Sequence, residues 1–241
     1  MARNLGAAMD DDILKKGGLT LLDARFTSFH ASIKGMVAFE MKSCLGRLLL
    51  NRKPPLFKDR PNLLNVGCAV TTFHDWVNAD FFGLGFLLGK RQEHLNWMLD
   101  VRYPLNCLPD VWDGVFCEHT LEHLYPLHVF NFLKELHRTM KPGAWLRLSV
   151  PDLEKYVSNY LGDVPHDNFY QWSTGCEALC YLTQNYHHKS VWDARLLGQY
   201  LEKSGFHNVS RRGFREGTDQ RLLKDREGRM WETLYMEAQK Y

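Results

Sequence analysis

The sequence predicts an α/β protein: a doubly wound, mostly parallel seven-stranded sheet with an antiparallel C-terminal hairpin and an N-terminal helical arm. Three observations carry that prediction. After residue 61, short apolar runs recur, several ending at a glycine or an acid, as strands buried on both faces do. Helical segments with one apolar face alternate with the later runs, and such alternation gives a parallel sheet covered on both sides. The last stretch holds two strand-like segments joined by a charged loop, which reads as a hairpin.

In chain order, residues 1–60 read as the arm, helical and amphipathic with a break at Gly17-Gly18. The segment "NRKPPLFKDRP", 51–61, has three prolines and several charges and reads as a connector. The main domain then spans 61–241. "NLLNVGC" is its first strand, ending at Gly67; "WVNAD" is the second, ending at Asp80; "NWMLDV" is the third, with Asp100 near its end; "WDGVFCEH" is the fourth. A helix over 126–140 follows, with Leu127, Phe130, Leu133, His137 and Met140 spaced to form its buried face. Lys141-Pro142-Gly143 stops it, with the lysine suited to the helix dipole. "AWLRLSVPD" is the fifth strand, 191–206 a helix closed by Gly205, and "HNVSRRGF" and "WETLYMEAQK" the hairpin. In such sheets ligands bind outside the carboxyl ends of the strands, near the reversal of strand order. The loops after Val66, Asn78, Leu99, Phe116 and Val150 therefore matter most.

Composition narrows the class. Hydrophobic residues at 45% and charged residues at 24% are ordinary for a soluble globular protein. A net charge of +2 with no long basic run implies no nucleic-acid partner. Six cysteines in irregular spacing read as reduced thiols of a cytoplasmic protein. The first residues lack an apolar core and carry three aspartates, unlike a secretory signal. "FFGLGFLLG", 81–89, is too short to span a bilayer and reads as a buried or lid-forming segment, so no integral membrane segment is expected.

"CEHTLEHLYP" holds His119-x-x-Glu122-His123, the spacing of the zinc peptidases with an inverted motif. A zinc site of that kind needs the motif in mid-helix, a third ligand and a bound water. Here a strand runs up to Glu118 and Pro126 follows His123 by three, leaving room for roughly two helical turns. The expectation is therefore no metal, with a zinc hydrolase as a remote alternative.

Three stretches, "LLNVGCAVTTFHDWVNADF", "LDVRYPLNCLPDVWDGVFCEHTLEHL" and "VFNFLKELHRTMKPGAWLRLSVPDL", followed by "YLEKSGFHNV" and "ETLYMEAQK", carry a likeness covering about residues 61–240. Their order resembles the class I S-adenosylmethionine-dependent methyltransferases, nearest to the type 11 group that acts in glycan and small-molecule biosynthesis. The resemblance implies a Rossmann-like fold, S-adenosyl-L-methionine as cofactor, and methyl transfer to a hydroxyl or other nucleophile of a sugar, glycan or small metabolite. It implies that Asn65, Gly67, Cys68 and Ala69 lie against the methionine end and that Glu118 belongs to the cofactor site. Gly67 suits a close backbone approach. Asp80, at the end of the second strand, suits the ribose hydroxyls. Asp100 suits the adenine amino group, with Val101 packing on the ring. The family loop is richer in glycine than Gly67-Cys68-Ala69-Val70-Thr71, and Ala69 fits if its φ stays negative. For that reason a non-catalytic binding or scaffold protein of the same fold stands as the alternative.

His119, at the carboxyl edge of the sheet, is the first candidate for a base or acceptor contact, with Glu122 and His123 pinning the short helix. His187 and His188 are weaker candidates. Cys176 and Cys180, one turn apart, read as a buried apolar stripe. Phe169, Tyr170 and Trp172 read as core, and Arg221, Arg226 and Arg229 as a solvated loop able to hold an anionic acceptor. The expected partner is a small-molecule or glycan acceptor, and homo-oligomerisation is left open.

Overall fold

The computed structural model describes residues 33–50, 53–81 and 95–241. Seven strands form one sheet: β1 (Leu63–Val66), β2 (Val77–Asp80), β3 (Leu95–Met98), β4 (Trp112–Glu118), β5 (Met140–Pro151), β6 (His207–Arg212) and β7 (Thr233–Gln239). Their order is β3-β2-β1-β4-β5-β7-β6. Strands β1 to β5 pair in parallel, while β7 runs antiparallel between β5 and β6. The order reverses between β1 and β4, which opens a crevice at their carboxyl ends. The predicted sheet and hairpin are both present.

Five helices accompany it among the described residues: α1 (Ile33–Leu50), α2 (Pro126–Thr139), α3 (Leu153–Tyr160), α4 (Gly175–Gln184) and α5 (Ala194–Lys203). Asp152 caps α3 by accepting from the Glu154 amide, and Asp193 caps α5 by accepting from Leu196. Gly205 takes φ +99 just past α5, as predicted for its stop. The main core lies on one face of the sheet, where Val129, Phe132, Leu133 and Leu136 of α2 and Leu197 and Leu201 of α5 meet Leu64, Val115 and Leu146. On the other face Leu63, Trp76, Phe116 and Leu222 pack together.

The phase of α2 differs from the prediction. Its buried face is Val129, Phe132, Leu133, Leu136 and Thr139, whereas Leu127 is exposed. Leu133 and Met140 belong to the buried set in both readings. Choosing Leu127 and His137 turned the stripe by about one residue, which is 100° on a helix. Nor does Lys141-Pro142-Gly143 separate helix from strand. β5 starts at Met140, and the tripeptide sits inside it as an irregularity where the register with β4 shifts.

The arm is also packed differently from an amphipathic helix. In α1 the buried positions are Gly35, Ser43 and Gly46, while Met36, Val37, Met41 and Leu48 are exposed. Small residues let this helix approach the sheet end closely. The expected break at Gly17-Gly18 and nearly all of 81–89 lie outside the described residues. All six cysteines are free. Cys176 is exposed, so the cysteine pair of α4 is not a buried stripe. Phe169 and Trp172 are core, packed with Tyr156, Ala178 and Leu182, while Tyr170 is exposed.

A buried guanidinium fastens the segment after β6 to the sheet. Arg147 of β5 donates to both Asp225 carboxylate oxygens at 3.1 and 2.6 Å and to the carbonyls of Glu216 and Gly213 at 2.7 and 2.8 Å. The next residue, Arg226, reaches the end of β4 and donates from its amide and its side chain to Glu118. The segment 213–226 is thus tied to two neighbouring strands. Among the described residues no helix is long and apolar enough to cross a membrane.

Candidate active site

The crevice at the strand ends holds a cavity of about 350 Å³, walled by Gly67 after β1, Asp80 and Phe81 at the end of β2, Asp100 and Val101 after β3, and Thr120 after β4. Gly67 has φ +66, and a Cβ there would overlap the Thr120 hydroxyl. Only glycine allows the two loops to close on each other at this point.

Ala69 corrects one expectation. Its φ is +43, not negative, so an alanine holds a left-handed conformation that a glycine would take freely. Its amide is turned by this bend onto Asp80 Oδ2 at 2.5 Å, while Oδ1 accepts from the Phe81 amide. Burial pushes the Asp80 carboxyl up, and these two amides pull against it. Gly67 and Cys68 both donate to the Ala79 carbonyl, and Thr71 donates to Cys68. The amides of 67, 68, 69 and 71 are therefore all bound within the protein.

Asp100 is buried and fully engaged. Oδ2 accepts from Ser43 of α1 at 2.5 Å and from Arg102 at 2.8 Å; Oδ1 accepts from the Arg102 amide and Nε. Burial by itself raises this carboxyl, but the Arg102 and Ser43 donors outweigh burial and hold it below the usual carboxylate range. Arg102 also pairs with Glu40 of α1. Phe39 of α1 lines the cavity and meets the Phe81 ring at 5.2 Å between centroids.

Several predicted residues face elsewhere. Asn65 is buried beneath the loop, where its amide donates to the Thr71 carbonyl at 2.9 Å and to Asn78 at 3.0 Å. Cys68 is buried too, and burial pushes its thiol up to about 12, so it stays protonated at neutral pH. Glu118 does not line the cavity; its carboxylate accepts from Arg226. Strand alternation explains it. Cys117 lies with the main core and Phe116 with the opposite cluster, so Glu118 falls on the Phe116 side, facing 213–226.

The three arginines of the charged segment are each paired, Arg221 with Asp219, Arg226 with Glu118 and Arg229 with Glu232. Thr120, Phe39, Arg102 and Lys189 line the cavity without having been predicted. Arg102 had a signal in its position two residues after a strand-end acid.

A second cavity of about 380 Å³ adjoins the first and adds Met36, Glu40, Tyr125 and His128. Phe39, Arg102, His123, Leu124 and Lys189 line both. Of the histidines only His123 belongs to this shared wall; His119 lines the first cavity and His128 the second. His119 has φ +48, and its ring is held at both nitrogens: Nε2 lies 2.9 Å from Thr233 Oγ1 and Nδ1 lies 3.2 Å from Glu122. His123 is the more accessible ring, 40% exposed at the side chain against 7% for His119. Burial keeps His123 below its ordinary value, against the pull of Glu122. The His188 ring stands 5.0 Å from that of His123, and neither His187 nor His188 lines either cavity. The motif residues Leu121–His123 form a single 3-10 turn. The mid-helix arrangement of a zinc peptidase is therefore not formed.

A family model described as a methyltransferase domain matches residues 40–211. Among solved structures, a SAM-dependent methyltransferase from Archaeoglobus fulgidus is similar at 20% identity over 91% of this chain and 98% of that one, with TM-score 0.46. One from Aquifex aeolicus is similar at 15% identity over 75% and 82%, with TM-score 0.44. Phosphoethanolamine N-methyltransferase 2 of Haemonchus contortus, in complex with S-adenosyl-L-methionine, is similar at 10% identity over 84% and 52%, with TM-score 0.41. No curated protein matches the chain by sequence. The matched domain takes in well over half of the chain, with β1 to β5 and all of β6 but its last residue, and on that basis the chain belongs to the class I S-adenosylmethionine-dependent methyltransferases.

Proposed function

We propose that the chain transfers a methyl group to a hydroxyl of a small acceptor, a sugar, glycan or metabolite, bound in the second cavity. The observation that carries this reading is the pair of adjoining cavities with a shared wall. The first suits the cofactor: it is walled by Gly67 after β1, by Asp80 at the end of β2 and by Asp100 just after β3. In this reading Asp80 holds the ribose hydroxyls with the lone pairs its backbone bonds leave. Asp100 receives the adenine amino group in exchange for Ser43, with Val101 against the ring. With its loop amides bound internally, the chain holds the methionine end by shape, between Gly67 and Thr120.

Bound S-adenosylmethionine supplies an electrophilic methyl on a sulfonium. The protein's share is alignment of the acceptor oxygen for in-line attack. The acceptor proton passes to the imidazole cluster. His123, on the wall of both cavities, is the ring an acceptor meets. His119 supports it through Glu122, a reversal of the roles expected from the sequence.

Titration calorimetry with S-adenosylmethionine and S-adenosylhomocysteine tests the reading. Binding of both is expected, weakened in Asp80→Ala and Asp100→Ala. No heat from either ligand in folded protein would sink it.

A further inference from the structure

We infer that Glu122, His123 and His188 form a binding site for a divalent transition-metal ion of the zinc class, beside the acceptor cavity. The inference goes beyond methyl transfer and does not depend on it. It also runs against the sequence expectation of no metal. The inverted motif supplies two ligands, and the third comes from a histidine 65 residues further on that no helix-based pattern would include.

Glu122 is 1% exposed, and its Oε1 faces only imidazole, His119 Nδ1 at 3.2 Å and His123 Nε2 at 4.0 Å. A buried carboxylate left this way is costly unless a positive charge meets it. What surrounds it is imidazole. One ligand atom from each of Glu122, His123 and His188 lies within 4.8 Å of the others. His123 Nε2 is 4.0 Å from Glu122 Oε1.

The imidazole protons point the other way. His188 Nδ1 lies 2.6 Å from the Leu182 carbonyl, so Nδ1 carries the proton and Nε2 presents a lone pair. The backbone of Tyr186 hydrogen-bonds the His123 ring. Thr233 gives its only proton to the Arg229 carbonyl at 2.6 Å, so it accepts from His119 Nε2. Backbone acceptors that fix the far nitrogen of a histidine are the usual outer support of metal ligands.

Two imidazoles and a carboxylate, with a fourth position open, are a common donor set for catalytic zinc. Donors around such an ion, with bonds near 2.0–2.2 Å, stand roughly 3.3 Å apart. Loading draws the present donors together by about 1.5 Å at most, within the reach of side-chain torsions. An ion held by Glu122, His123 and His188 would take the His123 lone pair and would supply Lewis-acid polarisation to an adjacent hydroxyl.

The test uses protein stripped by chelator, dialysed, and titrated with Zn²⁺ alone, with bound metal counted by elemental analysis after gel filtration. One equivalent is expected in the wild type. Glu122→Gln and His188→Ala should each weaken zinc binding by about ten-fold or more, while His187→Ala leaves it unchanged. Circular dichroism of the metal-free variants confirms folding, and the partly exposed His188 is the position where a change is best tolerated. Because no cofactor is present, failure here leaves the methyl-transfer reading standing. A folded wild type that takes up no zinc at about 0.1 mM, or a folded His188→Ala that binds as the wild type does, overturns the inference.

Discussion

Gly67→Ala probes the tightest point of the site, and its cost separates into two parts. Gly67 sits at φ +66, and a side chain in that region costs roughly 1–2 kcal/mol. The added methyl also overlaps Thr120 Oγ1 and lies 2.9 Å from its Cγ2 and 3.0 Å from its Cβ. Overpacking of this kind costs about 1–3 kcal/mol. The expected loss is roughly 2–5 kcal/mol, a large share of the ~5–15 kcal/mol that holds a domain folded. Thr120→Ala removes Oγ1 and Cγ2 but keeps Cβ. The double variant should therefore regain about 1–2 kcal/mol over Gly67→Ala alone. Urea unfolding followed by tryptophan fluorescence measures both. If Gly67→Ala unfolds within about 0.5 kcal/mol of the wild type, or if the double variant gains nothing, Thr120 is not the obstacle and the reasoning fails.

Other outcomes follow from the same geometry. Arg147→Met leaves Asp225 buried without its cation and should cost about 3–5 kcal/mol, with much of the loss recovered in Arg147→Met/Asp225→Leu; a denaturant cycle on the four proteins reads the coupling. Ser43→Ala removes a competitor for Asp100 and should tighten S-adenosylhomocysteine binding by up to about ten-fold, read by calorimetry; weaker binding would mean that Ser43 supports the site. The Asp100 carboxyl is held low by Arg102 and Ser43 despite burial. Its contribution to stability is therefore full above the unfolded value near 3.9 and is lost as pH falls through the lower folded value. Melting temperatures of wild type and Asp100→Asn should differ at neutral pH, begin to approach below about pH 4 and meet only below the lower folded value. Phe132→Ala should cost about 3–5 kcal/mol and Leu127→Ala less than about 0.5 kcal/mol, which checks the phase of α2.

The strands were legible because each is a short apolar run with a marked end, and the hairpin because two such runs flank a charged loop. Of the predicted residues, Gly67, Ala69, Asp80, Asp100 and Val101, at or just after the ends of β1, β2 and β3, line the crevice. The site was not legible elsewhere on the strands. Asn65 of β1 and Glu118 of β4 are turned by alternation and local bonding to Thr71 and Arg226. Ala69 was judged by steric preference alone, and the bond from its amide to Asp80 favours the conformation that preference disfavours. Phe39, Ser43 and Lys189 reach the site across long stretches of chain, as the 57-residue separation of Ser43 and Asp100 illustrates. No period or spacing encodes such contacts.

Phe39, Arg102, His123, Leu124 and Lys189 are wall to both cavities. A side chain that moves to suit one occupant reshapes the compartment of the other, so the two occupancies are thermodynamically linked. Linkage is symmetric: the factor by which a bound cofactor changes acceptor affinity is the factor by which acceptor changes cofactor affinity. With cofactor and acceptor bound as proposed, the filling of each cavity would depend on the concentration of the other's ligand as well as its own. After transfer, departure of the first product resets the affinity for the second.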